Sequence, residues 1–267
     1  MDDKICVVFL CNKAYFEKFL YTCILLFRDG KYRGDICLVI GDDLYNSHLL
    51  QHPFILRNKI IVKYFMDFYF DDDFLRIQKN LDRSEDWFKK IFQYHKFHLF
   101  NTYFKRWDYI FYLDCDITIM SDIAPMIQSR QPNTLLAHSD AYPKYEWKLD
   151  WQFVKHNPYY EKLNKKYNLT TDYFQTTMML YDTRIIEPDT MENLYNLVKE
   201  YPISVTNDQG IVSLYFTNIK PLYKQIQIQN DDTYFYDYSM NKKDKPYIMF
   251  KRYCESYTES TTVTYYF

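Results

Sequence analysis

The chain has 267 residues, with 33 basic and 35 acidic side chains and a net charge of -2, so no whole-chain field draws it to nucleic acid or to an anionic membrane. Its length is enough to bury a substantial core as one large or two small domains. Only four glycines are present, Gly30, Gly34, Gly41 and Gly210, and none is spaced to build G-x-G-x-x-G or a Walker loop, which excludes phosphate binding by a glycine cradle.

In chain order, Ile5 to Cys11 is a continuous apolar run of strand length, of the kind expected for a strand covered on both faces. Phe16, Phe19, Leu20, Cys23, Ile24 and Phe27 follow at three- and four-residue steps and predict a helix with a wide buried stripe. Gly30 and Gly34 bracket the next turn. Residues 35–41 and 59–65 read as further strands, residues 87–104 as a long aromatic-rich helix, and residues 108–114 as a fourth strand ending in acid. This alternation predicts an α/β fold with a mostly parallel sheet flanked by helices. In such sheets ligands bind beyond the carboxyl ends of the strands. No linker or internal repeat is visible, so one continuous domain is expected over residues 1–250, with 251–267 as a C-terminal tail.

Asp114-Cys115-Asp116 follows the fourth strand, and two carboxylates at that spacing can hold a hard divalent ion that completes its shell with water and phosphate. With 26 aspartates in the chain, D-x-D arises about twice by chance. A second instance, Asp71 to Asp73, lies in an acidic run and reads as a solvated loop. The plainer reading of the first is a capping pair, with Asp116 or Asp122 closing the turn after Met120. Asn12 and Tyr15 directly follow the first strand and can contact a base; the plainer reading is a helix cap followed by a core tyrosine. Asn207-Asp208-Gln209-Gly210 places a carboxylate and a carboxamide together at the start of an apolar helical pattern; the plainer reading is again an N-cap, and the two can both hold. Residues 173–181 read as a buried strand whose Gln175, Thr176 and Thr177 need polar partners, two of them able to face a ligand.

The order of these pieces resembles glycosyltransferase family 8, in its glycogenin-like and lipopolysaccharide galactosyltransferase branch, over about residues 5–250. The segments that carry the likeness are residues 9–15, the Lys96 segment, Tyr109 to Asp116, Tyr173 to Met179 and Asp208-Gln209-Gly210. The resemblance implies a GT-A fold and metal-dependent, retaining transfer of a sugar from a nucleotide diphosphosugar, most often a UDP-sugar, to a glycan or glycoprotein acceptor. It implies that Asn12 and Tyr15 contact the nucleoside and that Lys96 lies near the donor phosphates. Asp114 and Asp116 would hold Mn2+ or Mg2+. Cys115, Gln175 and Gly210 would line the nucleotide-sugar site, with Asp140, Asp208 and Gln209 as the catalytic set. Of the four glycines, Gly210 is the one expected at the active site.

The pattern departs from that family near the C-terminus. Where the family places a third metal ligand, a histidine, this chain has Met249, and a thioether is a poor ligand for hard ions. Lys251 and Arg252 can pair with phosphate instead. The alternative reading is a GT-A domain that binds nucleotide or glycan without transferring it. Six scattered cysteines without C-x-x-C predict buried free thiols in a reducing, cytoplasmic setting. No membrane anchor or nucleic-acid partner is expected, and a homodimer is allowed. The 29 Tyr and 21 Phe beside so few glycines read as translation from an AT-rich gene, as in a large DNA virus or a low-GC microbe.

Overall fold

The computed structural model describes residues 3–81, 90–140 and 146–226 in full, and the backbone of 235–236 and 249–251. β1 (Ile5–Cys11) is the centre of the molecule. Its residues alternate between two apolar clusters, with Cys6, Val8 and Leu10 in one and Val7, Phe9 and Cys11 in the other. A strand covered on both faces needs such a run, and no polar residue interrupts it.

Around it stand β2 (Asp35–Ile40), β3 (Ile61–Tyr64), β4 (Tyr109–Leu113), β6 (Leu135–Ser139), β7 (Phe174–Asp182) and β8 (Tyr223–Gln225), while the short β5 (Ile117–Ile119) lies outside this sheet. Among the described residues the main sheet has seven strands in the order β3-β2-β1-β4-β7-β6-β8. It is mostly parallel, as expected, but β7 runs antiparallel to both β4 and β6. That reversal sets the first residues of β7 beside the last of β4. Leu113 pairs with Met178, and the Asp114 N–H donates to the Thr177 carbonyl at 2.9 Å. The polar triplet 175–177 therefore sits at the same sheet edge as Asp114.

The helix Phe16–Arg28 buries Phe16, Phe19, Leu20 and Cys23, as its spacing predicts. The long helix expected over 87–104 is not one α-helix. Residues 91–100 and 102–106 are 3-10 turns, and Tyr94, Lys96, Phe97 and Phe100 are all buried within them. The tighter winding brings i and i+3 side chains into line, and His98 stacks between the rings of Phe65 and Phe68 at 4.6 and 4.3 Å. The expected solvated loop at Asp71–Asp73 is also corrected: it opens the helix Asp72–Leu81, and Asp71 caps it by accepting the Phe74 N–H at 2.8 Å.

A smaller sheet joins β5 to β10 (Met249–Lys251) and β9 (Phe235–Tyr236). β10 is antiparallel to β5, with Lys251 opposite Ile117, so the chain returns to the residue following Asp116. The expected boundary between residues 250 and 251 thus falls inside a strand. Arg252, Cys254 and the rest of the tail lie outside the described residues. Cys6, Cys11, Cys23, Cys37 and Cys115 are free and buried. Among the described residues no helix is long and apolar enough to cross a membrane.

Candidate active site

The turn Asp114-Cys115-Asp116 leaves the carboxyl edge of the sheet between β4 and β5 and is held from behind. Thr22, buried mid-helix, directs its hydroxyl at the carbonyls of Cys115 (2.6 Å) and Ile117 (2.9 Å). The Cys115 thiol donates to the Leu10 carbonyl at 3.1 Å and is packed in the core. Its side chain therefore faces the core, so any donor contact of Cys115 would run through its backbone. Asp122, not Asp116, makes the helix cap, accepting the Ala124 N–H at 2.9 Å. Asp114 and Asp116 are both half-buried on the turn.

Lys96 is the hub of the site. Its side chain is 9% exposed, and the ammonium lies 3.2 Å from Asp114 Oδ1 and 3.5 Å from Asp208 Oδ2. It also donates to Thr176 Oγ1 at 3.3 Å. Tyr112 donates to Asp114 Oδ1 at 2.6 Å, and Thr176 to Asp208 Oδ2 at 2.6 Å. One cation thus joins the end of β4 to the first residue of the helix Asp208–Leu214. Burial raises the Asp208 carboxyl above the usual carboxylate range, opposed by the Lys96 charge and the Thr176 hydrogen bond. Asn207 stands at the N-cap position of this helix but makes no side-chain cap bond to it. It adopts a left-handed φ of 54° and sends its amide to Gln93 Oε1 at 2.7 Å.

A second network holds Asp140 at the end of β6, where a register shift between Ala137 and Ser139 re-aims the strand. Tyr173 donates to its Oδ2 at 2.9 Å and Gln175 Nε2 to its Oδ1 at 2.5 Å. Gln209 Nε2 lies 3.5 Å from Asp140 Oδ2 and 3.1 Å from Gln152 Oε1, and Thr206 also bonds Gln152. Gly210 packs against this group. A Cβ there would stand 2.5 Å from Ser204 Oγ and 3.2 Å from Gln152 Cβ, so glycine lets the helix close on the loop.

A recess of about 210 Å3, open to solvent, is lined by Asn12, Asp43, Asp67, Phe68, Phe92 and His95 among others, and His95 directly precedes Lys96 in the chain. Residues following β1, β2 and β3 supply its polar rim. Gly41 adjoins this recess, and a Cβ there would collide with the Asp67 carboxylate and the Phe92 ring. Asn12 caps the turn Lys13–Tyr15 through its Oδ1, as the plainer sequence reading had it, whereas Tyr15 is 42% exposed and not a core residue. Burial lowers His95 to about 3 and His98 to about 4, so both rings are neutral at ordinary pH.

No protein-family model matches the chain, and no curated protein matches it in sequence. Solved structures do match. A galactosyltransferase LgtC, solved in complex with donor and acceptor sugar analogs, superposes with a TM-score of 0.61 at 12% identity over 94% of this chain and 87% of that one. Mouse xyloside xylosyltransferase 1 in its apo form gives 0.53 at 13% identity, over 95% and 98%. The bifunctional glycosyltransferase WbbM gives 0.55 at 14% over 94% of this chain but 46% of its own length. The fold is GT-A. In a GT-A sheet the carboxyl edge is the ligand-facing edge, and there the chain gathers Lys96, Asp114, Asp116, Asp140, Gln175, Asp208 and Gln209.

Lys251 follows in backbone register only, and its side chain and that of Met249 lie outside the described residues. Sequence reasoning missed Thr22, Tyr112, Gln152, Tyr173 and Asp67. The first two sit in ordinary apolar patterns, and nothing in their spacing marks them. Among the described residues, no three His, Cys, Asp or Glu side chains converge on a common metal position. The donor set at the turn is two carboxylates, which suits an ion of the Mg2+ or Mn2+ class that takes its remaining oxygens from water and phosphate.

Proposed function

We propose that the protein is a glycosyltransferase that takes its sugar from a nucleotide diphosphosugar, with a UDP-sugar as the first donor to test. The observation that carries this is Lys96, a buried cation set between Asp114 on the turn after β4 and Asp208 at the head of the 208–214 helix, on the ligand edge of a GT-A sheet. A diphosphate leaving group develops negative charge as its bond to the sugar breaks, and fixed positive charge already in place stabilises it without reorganisation.

In this reading the recess lined by Asn12, Asp67 and His95 receives the nucleoside. The rings of Phe68 and Phe92 offer apolar walls, and Asp43 and Asp67 offer acceptors to base or ribose. Asp114 and Asp116 are the residues that would hold Mn2+ or Mg2+; such an ion neutralises the diphosphate when bound. Lys96, freed from one carboxylate as phosphate arrives, donates to the phosphate oxygens. Asp140, fixed by Tyr173, Gln175 and Gln209, accepts hydroxyls of the donor sugar and holds it against rotation. Asp208 Oδ2 is already engaged by Thr176 and Lys96 under deep burial, which supports a role as fixed negative charge beneath the sugar more than as an attacking nucleophile. That arrangement favours retention by entry of the acceptor on the face the leaving group quits.

The test is nucleotide release from a panel of UDP-, GDP- and CMP-linked sugars with Mn2+ present, together with thermal stability in Mn2+ and UDP. Wild type should release UDP from at least one donor, and Asp114→Asn should lose the metal-linked shift in melting temperature. Nucleotide-linked stabilisation without turnover on any donor would replace this reading with a binding domain.

A further inference from the structure

We infer that Trp147 and Trp151 form a stacking platform for a sugar ring of a saccharide acceptor. This rests on the transferase reading and names the acceptor class that reading leaves open. Trp107 is buried and donates its indole N–H to Asp35, as tryptophan ordinarily does in a fold. Trp147 and Trp151 instead stand in solvent, 42% and 58% exposed. Their ring centroids lie 6.3 Å apart with planes inclined by 35°, so the two indoles form one exposed aromatic patch. A solitary exposed aromatic needs no explanation, whereas two in contact present a joint apolar surface to solvent.

The turn that carries Trp151 is anchored next to the candidate active site. Trp151 sits on the 3-10 turn Leu149–Gln152, whose Leu149 is fully buried and whose backbone is tied to Thr171 and Leu169 at 2.9 Å each. The next residue, Gln152, receives Gln209 Nε2 through its side chain and the Val205 N–H through its carbonyl at 3.0 Å. Val205 is itself exposed, three residues before Asp208. The turn that carries Trp151 is therefore bonded directly to the loop that carries Asp208 and Gln209.

The chemistry of the rim selects the occupant. A pyranose has one face of C–H groups and an equator of hydroxyls. The electron-rich indole faces suit the C–H face, and charges of both signs surround them. Asp150 pairs with Lys155 at 2.5 Å, Lys155 also lies over the Trp151 ring, and Lys148 pairs with Asp172 at 2.6 Å. Such a rim offers both donors and acceptors to hydroxyls without net charge, and so favours a neutral sugar over a phosphate or a strongly charged peptide.

The test uses the full chain, with Trp147→Ala, Trp151→Ala and the conservative Trp151→Phe, all at exposed positions. Tryptophan fluorescence is titrated with a panel of neutral gluco-, galacto- and N-acetylglucosamine-based oligosaccharides, and nucleotide release from donor is measured with and without them. Wild type should show a saturable change with at least one saccharide. Each alanine variant should bind it about tenfold or more weakly, with an equal rise in acceptor KM, unchanged acceptor-independent donor hydrolysis, and partial recovery in Trp151→Phe. Equal binding by wild type and the alanine variants, or no saccharide response in wild type, overturns the platform. So does concentration-dependent self-association that the variants lose, which would make the patch an interface between copies of the chain. Saccharide binding through the pair without nucleotide release from any donor would sink the transferase reading while leaving the sugar-binding surface intact.

Discussion

Replacing Lys96 by Met keeps the length and most of the volume of the side chain but deletes the one charge that Asp114 and Asp208 share. At an effective dielectric near 20, each contact at 3.2 and 3.5 Å has a gross Coulomb energy of about 5 kcal/mol, largely offset by desolvation of the ions. The net effect follows from what is left behind: two facing carboxylates, one of them 2% exposed, with no cation between them. Breaking a buried pair in this way costs about 3–5 kcal/mol. The loss depends on pH. Burial already raises the Asp208 carboxyl, and without Lys96 it rises further above its unfolded value near 3.9. A carboxyl raised in the folded state has its full stability below the unfolded value and loses it as pH rises through the folded one. Urea titrations of wild type and Lys96→Met at pH 4.5 and pH 8 should therefore show a deficit that is small in acid and approaches its full size in base. A deficit that is the same at both pH values, or below about 1 kcal/mol at pH 8, would refute the assignment of Lys96 as a charge hub.

Thr22→Val is isosteric and withdraws one hydroxyl from the Cys115 and Ile117 carbonyls; it should cost about 1–3 kcal/mol and weaken the Mn2+-linked thermal shift, whereas an unchanged shift would separate Thr22 from the carboxylate turn. His95 and His98, at about 3 and 4, sit below their unfolded value, so their stability is full above about pH 6.5 and is lost as pH falls toward those values, by about 1.4 kcal/mol per unit for each ring. His98→Phe keeps the stack between Phe65 and Phe68 and should halve the slope of stability against pH between 6 and 4.5. An unchanged slope would mean that another group carries the acid sensitivity.

Several of these residues were legible in the sequence and several were not, for identifiable reasons. β1 and β4 could be read because a strand buried on both faces must be apolar throughout, and Asp114 stood out as the first polar residue after such a run. Asp208 and Gln209 were visible as polar residues opening an apolar helix. The direction of β7 was not visible, since an apolar run has the same composition in either sense. Yet that direction brings Gln175 to Asp140 and Thr176 to Asp208. The 91–106 segment has the aromatic content of a core helix, and spacing alone does not distinguish α from 3-10 winding. Cys115 looked like part of the ligand motif because it lies between two acids, but its thiol faces the core and bonds the Leu10 carbonyl.

The amino-acid sequence by itself determined the α/β class, the exclusion of a glycine cradle and the candidate carboxylates, because these follow from local periodicity and from residue chemistry. The tertiary structure decided the partnerships. Lys96 is 18 residues from Asp114 and 112 from Asp208, and no local rule links positions so far apart. Only the packing of the 3-10 turns against the sheet edge sets one ammonium between both acids, and only the contact of the 149–152 turn with residues 203–205 ties the exposed indoles to the loop bearing Gln209.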